Sequence, residues 1–266
     1  MLIRPGRSSG NLIDRRGGGG GRGRGVGIGL GGIVIVLIGM FFGVDLRGLV
    51  GGGGPSADVN NEPMVEATDE QAAFVDAILV ETEEVWGELY RQAGETYQEP
   101  NLVLFSGSTP TGCGYGQSAT GPFYCPADQT VYIDLAFFRQ LQRMGARGDF
   151  SVAYVIAHEV AHHVQNLEGL LTRSRSNAMS VQTELQADCL AGIWTHHARS
   201  ADGRVELDAA DIEEGISAAA AVGDDSIQRG AGQAVRPESF THGSSRQRVD
   251  AFLGGYRSGD YAVCFS

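Results

Sequence analysis

Residues 151–167 read SVAYVIAHEVAHHVQNL. Val155, Ile156, Val160 and Val164 recur at helical spacing, so this stretch predicts a helix with much of its circumference buried. Inside it lies His158-Glu159-Val160-Ala161-His162. Positions i and i+4 of a helix stand one above the other, so both imidazoles can reach one metal ion. Glu159 sits about 100° round the helix, placed to contact a water at that metal without ligating it. The pattern points to zinc hydrolysis, in which the ion lowers the pKa of a water and the Glu takes and redelivers its proton. The alternative, three ordinary helix residues, leaves polar groups on a buried helix in need of partners.

A hydrolytic zinc site takes three protein ligands and keeps a fourth position for water. Glu184 opens Glu184-Leu185-Gln186-Ala187-Asp188 on the next long helical segment, 22 residues past His162. Glu184 and Asp188 are again i and i+4, so both can face the first helix. Glu184 is the candidate third ligand, and Asp188 the candidate acceptor for the N–H of one ligating imidazole, fixing its tautomer. The competing reading is two acids on a solvated face, against which Leu185, Leu190, Ile193 and Trp194 mark the helix as packed. His163 points to another face and reads as structural. His196 and His197 stand about 18 Å beyond Glu184 along the helix, too far to ligate. Tyr154, one turn before His158, reads as core packing beside the site. His242, in Phe240-Thr241-His242-Gly243-Ser244-Ser245, is a candidate donor to the oxyanion of a tetrahedral intermediate.

Further outward, helical periodicity covers 68–93, 137–144, 178–198 and 208–222, with a capped helix toward 240–256. Residues 101–105 and 130–135 (TVYIDL) read as strands. The body is therefore α+β and mostly helical with a small β element.

The N-terminal part is different in kind. Of 40 glycines in 266 residues, 20 lie in 1–54. Residues 1–47 carry seven Arg against Asp14 and Asp45, although the whole chain is at −12 and contains no Lys. An acidic body repels phosphate backbones, which argues against nucleic acid as a partner. Residues 26–44 hold no charge and as a helix span about 30 Å, enough for a hydrocarbon core. Arginines cluster before this stretch; a cleaved signal peptide is the competing reading, but its apolar region would be unusually long and the residues after it offer no convincing small-x-small cleavage site. The resulting expectation is a cytoplasmic Arg/Gly-rich tail (1–25), a transmembrane helix (26–44), a Gly/Pro-rich tether (45–67) and an extracytoplasmic zinc metallopeptidase domain (68–266). It makes the protein a single-pass cell-membrane protein with the lipid bilayer as partner. The spacings Gly27/Gly31 and Gly39/Gly43 would permit a homodimer through that helix.

Four cysteines allow three pairings, and no C-x-x-C is present. Cys113 with Cys125 would close a short loop, stabilising by roughly 3 kcal/mol on a chain-entropy argument. Cys189 with Cys264 would tie the C-terminus to the back of the helix that carries Asp188.

The runs HEVAHHVQN (158–166), TELQADCLAGIW (183–194), GPFYCPADQTVYIDLAFF (121–138) and SFTHGSSRQR (239–248), with RPGRSSGNLIDRRGGGG (4–20), resemble the bacterial putative neutral zinc metallopeptidases. More distantly, the two-helix layout resembles gluzincins. The resemblance implies zinc, a Glu ligand at Glu184, a carboxylate partner at Asp188 and a catalytic His at His242. It also implies an edge strand at 130–135 that pairs with an extended protein or peptide substrate. The expected activity is a zinc metalloendopeptidase acting on exported or membrane-proximal proteins. The competing class is a latent or non-enzymatic zinc-stabilised binding module, which would have no need of Glu159 as a base.

Overall fold

A computed structural model describes residues 1–3, 7–16, 69–171, 176–198 and 205–265. In chain order the elements are β1 (Leu2–Ile3), β2 (Leu12–Asp14), α1 (Asp69–Gln92), β3 (Asn101–Phe105), β4 (Ser108–Thr111), β5 (Gly114–Gln117), β6 (Phe123–Cys125) and β7 (Thr130–Asp134). There follow α2 (Ala136–Arg143), α3 (Phe150–Leu167), α4 (Asn177–Ala198), β8 (Val205–Glu206), α5 (Ala209–Ala221), α6 (Asp224–Gly230) and α7 (Ser245–Ser258). The protein is mixed α/β and mostly helical, as the periodicities predict.

A four-stranded sheet in the order β2-β3-β7-β6 forms one layer. β2, β3 and β7 run parallel, and β6 pairs antiparallel with β7, Phe123 opposite Tyr132. Side chains alternate faces along each strand. Leu102, Leu104, Val131 and Ile133 therefore join α1, α3 and α4 in the main core, while Val103, Phe105, Cys125 and Tyr132 form a second cluster on the opposite face. The main core is filled by Trp86 of α1, Phe150 and Val160 of α3, Trp194 of α4 and Phe252 of α7. β4 and β5 form a hairpin, Ser108 opposite Gln117, whose turn residue Cys113 packs against the second cluster. Strand 130–135, expected at an edge, is internal; the edge beside the helices is β6.

Local chemistry sets the helix ends. Asp208 starts α5 with a capping box to Asp211, and Ser244 starts α7 with one to Gln247. Both expected disulfides form, Cys113–Cys125 and Cys189–Cys264, with Cα–Cα distances of 5.8 and 5.6 Å.

The single-pass membrane topology is corrected. Among the described residues no helix is long and apolar enough to cross a membrane. The stretch 26–44, on which the bilayer and the helix-paired homodimer both rest, lies outside the described residues, as does the tether at 45–67. Moreover, the expected tail and the expected domain share one sheet. Leu12 of β2 is in register with Leu102 of β3, the Leu102 amide donates to the Asn11 carbonyl at 2.9 Å, and the Arg15 amide donates to the Leu104 carbonyl at 2.8 Å. A bilayer cannot separate strands that are hydrogen-bonded to each other, so the N-terminus and the helical body do not stand on opposite sides of one.

Candidate metal centre

The centre is built where α3 meets α4. His158, Glu159 and His162 project from α3, and Glu184 and Asp188 from α4. His158 Nε2 lies 3.1 Å from Glu184 Oε2, and His162 Nε2 lies 3.6 Å from Glu184 Oε1. One ligand atom from each of His158, His162 and Glu184 falls within 4.8 Å of the others. The remaining ring nitrogens are occupied: His158 Nδ1 lies 2.9 Å from Asp188 Oδ1, and His162 Nδ1 2.7 Å from Gln165 Oε1. Both imidazoles thus turn Nε2 toward the Glu184 carboxylate. Two imidazole nitrogens and one carboxylate suit zinc, and their convergence fits a single ion.

Electrostatics follow from burial and neighbours. Burial raises the Glu159 carboxyl above its ordinary range, against the pull of His162 and His158. Burial acts in the same sense on Glu184, but His162 and His158 hold it well below the usual range. Asp188, fully buried, is likewise held down by Arg248 and His158 against its desolvation. These acids have distinct environments although they stand within one cluster: Glu159 and Glu184 line the cleft, and Asp188 lies behind His158.

His242 reaches the same cleft from the segment between α6 and α7. Asp224, buried at the start of α6, accepts the backbone N–H groups of Thr241, His242 and Gly243 on Oδ2 at 2.7, 2.7 and 3.0 Å. Its Oδ1 lies 3.2 Å from His242 Nδ1. Gly243, at φ +92°, makes the turn that follows possible. Burial lowers the affinity of His242 for a proton, but Asp224 and Glu184 outweigh it and the pKa is raised.

A cleft of about 250 Å³ opens over these groups, lined by His158, Glu159, His162, Glu184 and His242 and by apolar residues including Phe137, Val155 and Ile227. β6 contributes Phe123 and Tyr124 to the same cleft.

All six residues singled out in the sequence, His158, Glu159, His162, Glu184, Asp188 and His242, therefore fall together. The other histidines stand apart. His163 is enclosed by the Tyr124 hydroxyl at Nδ1 and the Gln98 carbonyl at Nε2. His196 and His197 contact the carbonyls of Tyr256 and Gly259 at the far end of α4. Three contributors were not read from the sequence: Gln165, Asp224 and Arg248. Arg248 had a signal, since it lies four residues before Phe252 and eight before Tyr256 and so falls on the packed face of α7.

The mixed α/β fold thus brings two histidines and a carboxylate on adjoining helices, with a flanking glutamate, into a cluster that could hold a metal ion. The chain belongs to the putative neutral zinc metallopeptidase family, whose model matches residues 1–266. It is 45% identical over 277 residues to "Uncharacterized protein YpfJ" of Escherichia coli (strain K12), covering 97% of this chain and 96% of that one. It is also 44% identical over 182 residues to "Uncharacterized protein Rv2575" of Mycobacterium tuberculosis (strain ATCC 25618 / H37Rv), covering 63% of this chain and 62% of that one. No solved structure matches the chain.

Proposed function

We propose that the protein is a zinc-dependent metallopeptidase in which His158, His162 and Glu184 hold the ion. The observation that carries this reading is the convergence of their ligand atoms within 4.8 Å, with Glu159 lining the same cleft. Zinc bound there supplies a Lewis acid that acidifies a water and polarises a peptide carbonyl.

The chain's own residues do the rest. The Glu159 carboxylate takes a proton from the attacking water and returns it to the nitrogen of the leaving amine; burial raises its affinity for that proton. Asp188 accepts from His158 Nδ1 and Gln165 from His162 Nδ1, fixing both tautomers. His242, anchored through Nδ1 by Asp224, presents Nε2–H to the carbonyl oxygen as negative charge develops. The open edge of β6 can pair with the main chain of an extended peptide, while the apolar wall of the cleft takes a side chain.

The test uses the full chain, because β1 and β2 belong to the fold. Zinc-loaded protein is incubated with a peptide library derived from a proteome, beside Glu159→Gln, and new N-termini are counted by mass spectrometry. Cuts that vanish in Glu159→Gln are expected. Equal cutting by both proteins would remove Glu159 from the reaction, and no cutting by either with one zinc bound per chain would replace the peptidase with a zinc-stabilised binding module.

A further inference from the structure

Arg248 supplies no ligand, yet it lies at the heart of the cluster. Its side chain is 4% exposed, and its Nη2 is 3.4 Å from the His158 ring nitrogens and 3.9 Å from Glu184 Oε2. The guanidinium engages Asp188 by a two-pronged contact, Nε donating to Oδ2 at 2.8 Å and Nη2 to Oδ1 at 2.9 Å. Nη1 donates to the Val222 carbonyl at 3.2 Å.

We propose that Arg248 is a positioning residue of the metal centre: by clamping both oxygens of Asp188 it holds His158 in the tautomer whose Nε2 faces His162 and Glu184. This rests on the metal reading given above. A buried ion pair gains little stability over well-packed apolar residues, because both charges lose their water. What this pair does provide is orientation. With both carboxylate oxygens held by the guanidinium, Oδ1 of Asp188 is kept aimed at the His158 ring, and the Tyr154 hydroxyl, which donates to the same Oδ1, fixes its place further. The Nδ1–H of His158 then has one partner, 2.9 Å away.

The reach of Arg248 depends on how closely α7 lies on α4. A Cβ on Gly255 would fall 2.0 Å from the Cys189 carbonyl oxygen, and one on Gly192 would fall 2.1 Å from that of Phe252. The glycine contact brings the α7 backbone down beside Asp188, and the Cys189–Cys264 bridge ties the chain beyond α7 to the same helix. The C-terminal helix is in this way part of the centre without contributing a ligand.

Zinc affinity of the full chain, measured in competition with a chromophoric chelator, tests this without any peptide substrate. Arg248→Met is expected to weaken zinc binding about 10- to 100-fold, the usual loss when an outer partner of a ligating histidine is removed. Arg248→Lys keeps the charge but offers no fork, and is expected to weaken it about tenfold. In an Asp188→Asn background Arg248→Met should change affinity less than about threefold, since the partner it positions is already altered. A structural role alone would lower the thermal midpoint of the zinc-free protein in both backgrounds and leave zinc affinity unchanged. Arg248→Lys at wild-type affinity, or full additivity in the double variant, overturns the inference. Should Arg248→Met not fold, Arg248→Lys and the Asp188→Asn pair decide it. Wild-type chain that binds no zinc overturns the metal reading itself, a result distinct from wild-type binding that Arg248 does not affect.

Discussion

His162 Nδ1 stands 2.7 Å from the side-chain oxygen of Gln165, three residues further along α3. The Gln165 amide nitrogen donates to the Thr183 carbonyl and to Gln186 Oε1, both at 2.8 Å, so the orientation of the amide is set by its partners. Its oxygen must face His162, which must carry its proton on Nδ1. Gln165→Leu is expected to weaken zinc binding about 10- to 100-fold. Gln165→Glu retains the acceptor and should bind more tightly than the Leu variant. Chelator competition on the two variants measures this, and equal affinities would show that the tautomer is set elsewhere.

His242 and Asp224 separate catalysis from metal binding. If His242 donates to developing charge, His242→Ala should lower kcat by about 10²–10³ with little change in KM or in zinc content. Asp224→Ala should show the same kinetic loss together with a lowered thermal midpoint, because three backbone N–H groups lose their acceptor. A His242→Ala variant with wild-type kcat would remove this residue from the reaction.

The helical half of the fold was legible because its signal is local. In α3 and α4 the apolar period and the i, i+4 polar pairs lie in one short window, and six site residues could be read there and at His242. The sheet was less legible because its pairings are remote. Nothing in Leu12-Ile13-Asp14 points to Leu102–Leu104, and glycine and arginine around it read as a tail. Strand β7 does carry a usable sign: Val131, Tyr132 and Ile133 are apolar in succession, which marks a strand covered on both faces rather than an edge. Arg248 and Gln165 belong to the site only through contacts across helices, which no single stretch of sequence displays.

The N-terminal segment gives a pH-dependent prediction. Glu83 of α1 is buried and takes hydrogen bonds from Ser9 Oγ and Asn11 Nδ2, with Arg7 Nη2 at 3.4 Å. Burial raises its carboxyl above 4.5 despite those donors. The folded state therefore binds the proton more tightly than the unfolded one, and this contribution is fully present below pH 4.5 and lost as pH rises through the folded value. Glu83→Gln does not titrate, so its thermal midpoint relative to wild type should be highest near pH 7 and fall as pH approaches 4.5. Midpoints measured from pH 4 to 7.5 check this; a difference independent of pH would mean that Glu83 titrates as it does in water.

Two adjacent glycines of α7 should respond oppositely to the same change. Gly254 is exposed, and a Cβ there meets nothing within 4 Å. Gly254→Ala should stabilise the protein by about 0.5–1 kcal/mol, since alanine restricts the unfolded chain and favours helix. At Gly255 the added carbon would sit 2.0 Å from the Cys189 carbonyl oxygen and 3.0 Å from the Ile193 nitrogen, both backbone atoms that cannot turn aside. Gly255→Ala must push α7 away from α4, at a cost of about 1–3 kcal/mol or more. The displacement acts on the contact between Arg248 and Asp188, so zinc affinity should fall with stability in Gly255→Ala and stay at the wild-type level in Gly254→Ala. Denaturant unfolding and zinc titration of the two variants test the coupling, and a Gly255→Ala protein that is destabilised but binds zinc normally would show that the centre tolerates movement of this helix.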